Sequence, residues 1–360
     1  MKLVIGYLYP SIMSQYGDTG NVLCLAQRCR WRGIDVEELA LEMGQAVDPE
    51  GIDLFFMGGG ADSHQRLIAQ DLLEVKGDGL RRAVEAGAAA LLICGGYQLF
   101  GRFYRPFRGD DLPGLGVLDA YTVHWAADRA GQRARGLRSW FDRLTMSGGS
   151  RPSSGSSTPL ILSPSKDEPV GAHLDAPLLA SSGPIRPTMR AGRIAEKDMA
   201  IRGIATAGRE RMVGNVIVQW GPHTLVGFEN HGGRTYLGQG GAAGAPHEIA
   251  DFVGTPGPGG SGKEGVKPLG KVLLGRGNNG RGGYEGTAYK NVIGTYLHGP
   301  LLPKNPHLAD HLIAAALRRR HGPVELAPLD DSLELETHAG AVKRAREARP
   351  EAVARTRGRK

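Results

Sequence analysis

Short apolar runs alternate with longer helix-like segments along the first part of the chain, and this alternation restricts the possible folds more than any other feature. The apolar runs are "KLVIGYLY", "DLFFMGGG" and "AALLIC", and helix-like segments such as "NVLCLAQRCRWRG" stand between them. Strands that alternate with helices form parallel sheets with helices on both faces. The sequence therefore predicts an α/β fold with a mostly parallel central sheet.

Local signals mark the ends of individual elements. Asp18 and Thr19 are cap residues for a helix that begins near Asn21, and Gly33 is placed to end it. Farther along, "RMVGNVIVQW" and "TLVGFENHGGRTYLG" are β-rich and are separated by the turn signal "GPH", which predicts a hairpin. Another apolar strand, "NVIGTYLHGPLL", precedes a predicted helix, "PHLADHLIAAALRRR".

Two Gly- and Pro-rich stretches interrupt this pattern. One lies near 127–205 and contains "GGSRPSSGSSTPLILSPSKDEP", and the other covers about 239–266. We interpret the chain as one domain, residues 1–322, which carries these two stretches as inserts. Residues 323–360 form a basic C-terminal tail that we expect to be weakly helical and to project from the fold.

The composition is that of an ordinary soluble chain, with 44 Lys and Arg, 37 Asp and Glu, and a net charge of +7. No stretch reaches the roughly 20 apolar residues that a membrane span requires, and "MKLVIGYLYP" is too short for a signal peptide. We therefore expect a cytoplasmic protein. The basic tail lacks interleaved aromatic residues, so nucleic acid is not an expected partner.

Metal and nucleotide sites are not expected in this chain. Cys24 and Cys29 are assigned to packing on a helix. His307 and His311 are four residues apart on a predicted helix but lack a third ligand, so a solvated helix face is the better interpretation. The stretch "GPGGSGKE" nearly matches a phosphate-binding loop, but Glu264 stands where a hydroxyl residue is required.

Cys94 lies where the apolar run "AALLI" ends and "GGYQLFG" begins a helix. A nucleophile on such a sharp turn needs small neighbours, which Gly95 and Gly96 supply, and the helix N-terminus favours a thiolate. The N–H of Gly95 would face a developing oxyanion. Taken alone, these residues more often form a buried small side chain and a tight turn.

A cysteine nucleophile also needs a base, and "GTYLHGP" places His298 directly after another apolar run. A histidine at the end of a strand is more often a surface polar residue. Its combination with the cysteine turn makes a catalytic pair the preferred interpretation.

The segment from Cys94 to Gln98 resembles the Cys-x-Gly-x-Gln elbow of class I glutamine amidotransferases, whose cysteine attacks the side-chain amide of glutamine and releases ammonia. In that class a glutamate usually follows two residues after the histidine, but here Pro300 stands there. The cobyric acid synthase-like branch is similar in lacking this glutamate, and "GFENHGGRTY" resembles its Gly-aromatic-Glu-x-His segment. Together with "YGDTGN", "FFMGGGAD" and "GTYLHGPLLPKNP", these blocks resemble the glutaminase subunits of bacterial lipid II isoglutaminyl synthases.

The resemblance covers nearly the whole chain apart from the inserts and the far tail. It implies the three-layer fold of class I glutamine amidotransferases, with Cys94 as the nucleophile and His298 as its general base and acid. It assigns the oxyanion donors to Gly59 and Gly95. It assigns substrate contacts to Arg211, Gln98, Gly58 and Gly60, and Gln98 would also support the elbow.

Two points stay open in the sequence. A guanidinium at Arg211 suits the carboxylate of glutamine, but a solvated charge at a strand end is an equally good interpretation. The carboxylate that would orient His298 is absent from its usual place, and the sequence does not decide whether Glu229 or Asp18 replaces it.

The resemblance also implies partners. Nothing in the chain resembles a synthetase domain, so ATP and Mg²⁺ are expected on a separate Mur ligase-like subunit of the MurT type, with no cofactor in this chain. That pair would amidate D-glutamate of lipid II to D-isoglutamine at the inner face of the membrane. The alternatives are a glutaminase for another acceptor, such as a corrinoid carboxylate, and a non-catalytic scaffold subunit.

Overall fold

The computed structural model describes residues 1–125, 211–238 and 265–348. The two predicted inserts lie outside the described residues, except for the last two positions of the second one. The phosphate-loop-like stretch at 257–264 also lies outside them. The proposed domain boundaries therefore stay predictions.

The described strands are β1 (Lys2–Leu8), β2 (Asp35–Leu41), β3 (Leu54–Met57), β4 (Ala89–Ile93), β5 (Phe103–Arg105), β6 (Leu112–Pro113), β7 (Ala120–His124), β8 (Met212–Trp220), β9 (His223–His231), β10 (Gly233–Leu237), β11 (Gly270–Leu274), β12 (Tyr284–Glu285), β13 (Thr287–Tyr289) and β14 (Val292–Thr295). The described α-helices are α1 (Thr19–Arg30), α2 (Asp62–Glu74), α3 (Gly77–Glu85), α4 (Gly95–Phe100), α5 (Pro306–His321) and α6 (Ser332–Glu347). None of these helices has the length and apolar character that crossing a membrane requires.

The central sheet has the strand order β13-β14-β4-β3-β1-β2. All of its neighbouring strands pair in parallel except β13, which pairs antiparallel with β14. Parallel strands need crossover connections, which the helices supply. This sheet confirms the predicted mostly parallel α/β fold.

Side chains of β4 show how the sheet separates two cores. Ala90 and Leu92 pack with residues of α2, α3 and α4, whereas Leu91 and Ile93 pack with residues of α1 and α5. Successive residues of a strand point to opposite faces, so an apolar strand with no polar positions is buried on both sides. The result is the predicted three-layer arrangement.

Two four-stranded sheets flank the central one, with orders β10-β7-β5-β6 and β12-β11-β8-β9. Strands β8 and β9 pair antiparallel from Met212–His231 to Trp220–His223, which confirms the predicted hairpin. Gly221 has a positive φ of 54° in its turn. An isolated bridge between Phe228 and His298 joins this hairpin to the segment that follows β14.

The expectation that the C-terminal tail projects from the fold is wrong for α6. Ala345 is buried and packs with Ile217 and Val226 of the β8–β9 hairpin. Asp331, which precedes α6, accepts two hydrogen bonds from the buried Arg28 guanidinium, at 2.6 and 2.9 Å. The many basic residues of the tail favoured an exposed helix, but a small apolar face holds α6 against the domain.

Candidate active site

Cys94 forms a strained turn between β4 and α4. Its φ of 50° and ψ of −101° are unfavourable for a residue with a side chain. Two backbone hydrogen bonds hold the turn: Cys94 N–H donates to Thr295 O at 2.9 Å, and Gly96 N–H donates to Gly58 O at 3.2 Å. A Cβ atom on Gly96 would lie 2.7 Å from Met57 O, so only glycine fits there. This geometry confirms the predicted strand–turn–helix elbow.

His298 lies next to the elbow because β14, β4 and β3 are neighbours in the sheet and end at the same edge. Its backbone N–H donates to Phe228 O at 2.7 Å. Gly59, which follows β3, sits between the two side chains. A Cβ atom on Gly59 would lie 3.3 Å from His298 Cε1 and 3.5 Å from Cys94 Cβ. The sequence-predicted pair is thus brought together around a glycine.

The surroundings keep both members of this pair uncharged at neutral pH. Burial, with a smaller contribution from the negative charge of Asp18, raises the pKa of the Cys94 thiol to about 12. Burial lowers the pKa of His298 to about 4, and the charge of Arg211 adds to this effect. Neither ring nitrogen of His298 has a hydrogen-bond partner within the described ranges. A neutral imidazole is the form of histidine that can act as a base.

Neither candidate carboxylate orients the His298 ring. Glu229 accepts the N–H groups of Arg276 and Gly277, each at 3.0 Å. Asp18 accepts the N–H of Gly59 at 2.6 Å. The expected capping role of Asp18 is also wrong, because its side chain makes no cap hydrogen bond to α1. It turns instead toward the loop after β3.

Arg211 is held by hydrogen bonds to Asn230, whose side chain also bonds Tyr16 beside His298. Its Nε donates to Asn230 Oδ1 at 2.5 Å and its terminal nitrogen donates to Asn230 O at 3.1 Å. The positive charge of Arg211 lowers the pKa of both Cys94 and His298. The guanidinium is therefore close enough to influence both side chains.

Tyr16 covers His298 and was not singled out from the sequence. Its ring meets the imidazole edge-on, with centroids 4.9 Å apart, and its hydroxyl accepts from Asn230 Nδ2 at 3.0 Å. Tyr16 has a positive φ of 56°, which is rare for an aromatic residue. The sequence block "YGDTGN" offered the only signal, since it places Tyr16 directly before the Gly17 turn.

Gln98 is buried behind the elbow and is bonded at both ends of its amide. Its Oε1 accepts from Gln65 Nε2 at 2.9 Å, and its Nε2 donates to Tyr296 OH at 3.2 Å. Tyr296 OH is bonded in turn to Thr235 Oγ1 at 2.6 Å. These contacts fit a residue that supports the elbow, and its substrate contact stays a prediction.

The amides expected at the oxyanion differ in their availability. The N–H of Gly95 is directed at the Cys94 sulfur and lowers the pKa of that thiol. The N–H of Gly59 is engaged by Asp18, whereas that of Gly60 bonds no acceptor in the described part of the chain. A Cβ atom on Gly95 would lie 3.0 Å from Gly60 N, so these two amides are neighbours.

The described residues contain no group of three or more His, Cys, Asp or Glu side chains that could hold a metal ion. The solvated face expected for His307 and His311 is only partly correct: His311 is exposed, but His307 is partly buried, and its ring stacks on His223 at 4.7 Å and packs against Trp220. Cys29 is fully buried and Cys24 packs beside the same core, which confirms their assignment to packing.

Residues 4–148 match the CobB/CobQ-like glutamine amidotransferase domain, the part that carries the elbow and the glycine loop. The chain therefore carries a CobB/CobQ-like glutamine amidotransferase domain over this range. It is thus an enzyme of the glutamine amidotransferase class. The predicted fold and the predicted resemblance to this class of amidotransferase are confirmed.

Two curated relatives extend the match beyond that domain. The lipid II isoglutaminyl synthase (glutamine-hydrolyzing) subunit GatD of Staphylococcus aureus is 28% identical over 345 residues, which cover 96% of each chain. The protein of the same name from Streptococcus pneumoniae is 27% identical over 336 residues, which cover 93% of this chain and 88% of the relative. This amidotransferase therefore resembles GatD along almost its whole length.

Proposed function

We propose that this amidotransferase is the glutaminase subunit of a lipid II isoglutaminyl synthase, and that Cys94 and His298 perform its chemistry. The observation that carries the proposal is the placement of both side chains against Gly59, at the edge where three parallel strands end. Ligands of open α/β sheets bind at this edge. The names of the two relatives supply the reaction to which the released ammonia is directed.

The reaction begins with the neutral thiol and the neutral imidazole. As Cys94 Sγ bonds to the carboxamide carbon of glutamine, the thiol proton moves to His298. The resulting imidazolium then gives this proton to the amide nitrogen, ammonia leaves, and a glutamyl thioester remains. His298 next takes a proton from water as the water attacks the thioester, and it returns this proton to the departing Cys94 sulfur as glutamate is released.

The tetrahedral intermediate carries an oxyanion that backbone amides stabilise. Gly95 and the Gly58–Gly60 loop supply these amides, and one such donor is worth about 100-fold in rate or more. Arg211 binds the α-carboxylate of glutamine from the rim, because a guanidinium matches a carboxylate with two parallel hydrogen bonds. Its anchoring by Asn230 supports this role.

A separate subunit must use the ammonia. We propose a MurT-like Mur ligase subunit that holds ATP and Mg²⁺ and activates the α-carboxyl of D-glutamate in lipid II. Ammonia would convert this group to D-isoglutamine at the cytoplasmic face of the membrane. The proposed pair is a heterodimer in peptidoglycan synthesis, and this chain needs no cofactor of its own.

The test is the release of glutamate and ammonia from L-glutamine, with and without the co-purified partner and ATP. Wild type should hydrolyse glutamine and Cys94→Ala should not, whereas Cys24→Ala is the matched thiol control and should retain activity. Formation of amidated lipid II by the pair would support the acceptor. Hydrolysis without lipid II amidation would favour another acceptor, and no hydrolysis under any condition would favour a scaffold subunit.

A further inference from the structure

Asp18 is a buried carboxylate whose environment is unusual. Its side chain is fully buried, its Oδ2 accepts the N–H of Gly59 at 2.6 Å, and its Oδ1 has no partner among the described residues. It forms no ion pair within the same ranges. A buried carboxylate that has one N–H donor is costly to desolvate, which indicates a role beyond the fold itself.

The loop after β3 is shaped around this carboxylate. A Cβ atom on Gly58 would lie 2.7 Å from Asp18 Oδ2 and would also overlap Met13 O. The backbone at Gly58 therefore packs directly on the Asp18 side chain. Gly59, the next residue, separates Cys94 from His298, so Asp18 contacts the loop at its closest approach to the reacting pair.

The hydrogen bond that holds the Gly59 amide also constrains the direction of the next amide in the loop, that of Gly60. Because Gly59 N–H is directed at Asp18, it is turned toward the interior. The adjacent amide of Gly60 bonds no described acceptor and lies beside Gly95. Gly95 N–H is itself directed at the Cys94 sulfur.

We propose that Asp18 is a positioning residue of the glutaminase site, an inference that rests on the proposed function. Its carboxylate holds the Gly59 amide and thereby presents the Gly60 amide, beside that of Gly95, to the oxyanion of the tetrahedral intermediate. Gly59 is then a structural link to Asp18, and Gly60 is the second oxyanion donor.

The charge of Asp18 affects the pKa of the Cys94 thiol, and this pKa is a measurable quantity that a purely structural role of Asp18 would not change. Asp18 and Asp62 both raise the pKa of the Cys94 thiol, while Arg211 lowers it. Burial raises the pKa of Asp18 itself to about 7, and the Gly59 hydrogen bond opposes that effect. A neutral side chain of the same shape should keep the hydrogen bond and lower the pKa of the thiol.

The experiment compares Asp18→Asn, Asp18→Ala and wild type in the complex with the partner. In Asp18→Ala we expect kcat for glutamine hydrolysis to fall about 100-fold, the effect of losing one oxyanion donor, with KM within about threefold. Asp18→Asn should recover at least about tenfold of this loss, because its Oδ1 still accepts from Gly59. Asp53→Ala is the matched control: Asp53 is buried and accepts the Val4 N–H at 2.9 Å, but it lies at the opposite end of β3.

The second measurement is alkylation of Cys94 by iodoacetamide as a function of pH, with Cys94→Ala providing the background of the other thiols. Asp18→Asn should speed alkylation about threefold above about pH 8, where Asp18 is ionised in wild type, because the neighbouring negative charge is removed. This arm uses no glutamine, so it still tests Asp18 if wild type hydrolyses nothing and the proposed function fails. The proposal would be overturned if Asp18→Ala had the kcat of wild type, or if Asp18→Asn were as slow as Asp18→Ala. An alkylation profile in Asp18→Asn that equals that of wild type would also overturn it.

Discussion

The edge of the Tyr16 ring contacts the imidazole of His298, with ring centroids 4.9 Å apart and an interplanar angle of 67°. This contact closes the solvent side of a histidine whose other surroundings are already buried. Tyr16 is itself about half exposed, at 49%. A surface side chain is therefore part of the surroundings that bury His298.

Replacing Tyr16 with Ala should raise the pKa of His298 toward its ordinary value of 6.5, because water would reach the ring and favour its charged form. Tyr16→Phe keeps the ring and loses only the hydroxyl contact to Asn230, so it should shift the pKa less. NMR titration of the His298 ring checks both variants. Equal pKa values in Tyr16→Ala and wild type would contradict the covering role.

Activity should persist into acid solution and fall as the pH drops through about 4, where His298 becomes protonated. The sign follows from the direction of the shift: burial disfavours the imidazolium, so the neutral base survives below its usual range. The check is kcat/KM for glutamine across the acid range, with circular dichroism to confirm that the fold is retained. An acid limb near pH 6.5 in folded protein would contradict the burial argument.

Replacing Arg211 with Met should raise KM for glutamine about tenfold or more, because a hydrogen-bonded charge pair with the substrate carboxylate contributes about 1.5–3 kcal/mol. Arg30→Met, which removes an equal charge from the exposed end of α1, should leave KM unchanged. A glutamine analogue without the α-carboxylate should discriminate little between wild type and Arg211→Met. If KM in Arg211→Met equals that of wild type, Arg211 is a solvated surface charge.

Deleting residues 323–360 should lower the melting temperature, because it exposes the apolar contact of α6 and removes one of the two carboxylates that pair with buried Arg28. Breaking a buried ion pair in this way costs about 3 kcal/mol or more. Deleting only 349–360 preserves α6 and should leave the melting temperature close to that of wild type. Equal melting temperatures for both truncations would show that α6 adds no stability.

The elements near the site could be predicted because their signals are local. The apolar runs before Cys94 and His298 define strands, and glycines at Gly95 and Gly96 define the turn. Parallel pairing of neighbouring strands then brings the strand ends together without any further information. The strands and the turn follow from this short-range pattern, whereas the family was predicted from the resemblance of whole motifs and the Cys94–His298 pair from the two strand ends together with that resemblance.

Other features depend on contacts that no local pattern encodes. Asp18 has the sequence position of a helix cap, but its carboxylate bonds Gly59, which is 41 residues away. Tyr16 reaches His298 across a still larger separation. The basic composition of the tail concealed the few apolar residues, among them Ala345, that hold α6 on the hairpin. In each case packing between distant segments overrides the local preference.

The most direct test of the account is to detect the glutamyl thioester on Cys94. Wild type and variants would be mixed with L-glutamine, quenched in acid, digested and analysed by mass spectrometry. We expect a glutamyl adduct on the peptide that contains Cys94 in wild type, and neither adduct nor glutamate release in Cys94→Ala. Glutamine hydrolysis that continues in Cys94→Ala, or an adduct on another residue, would contradict it.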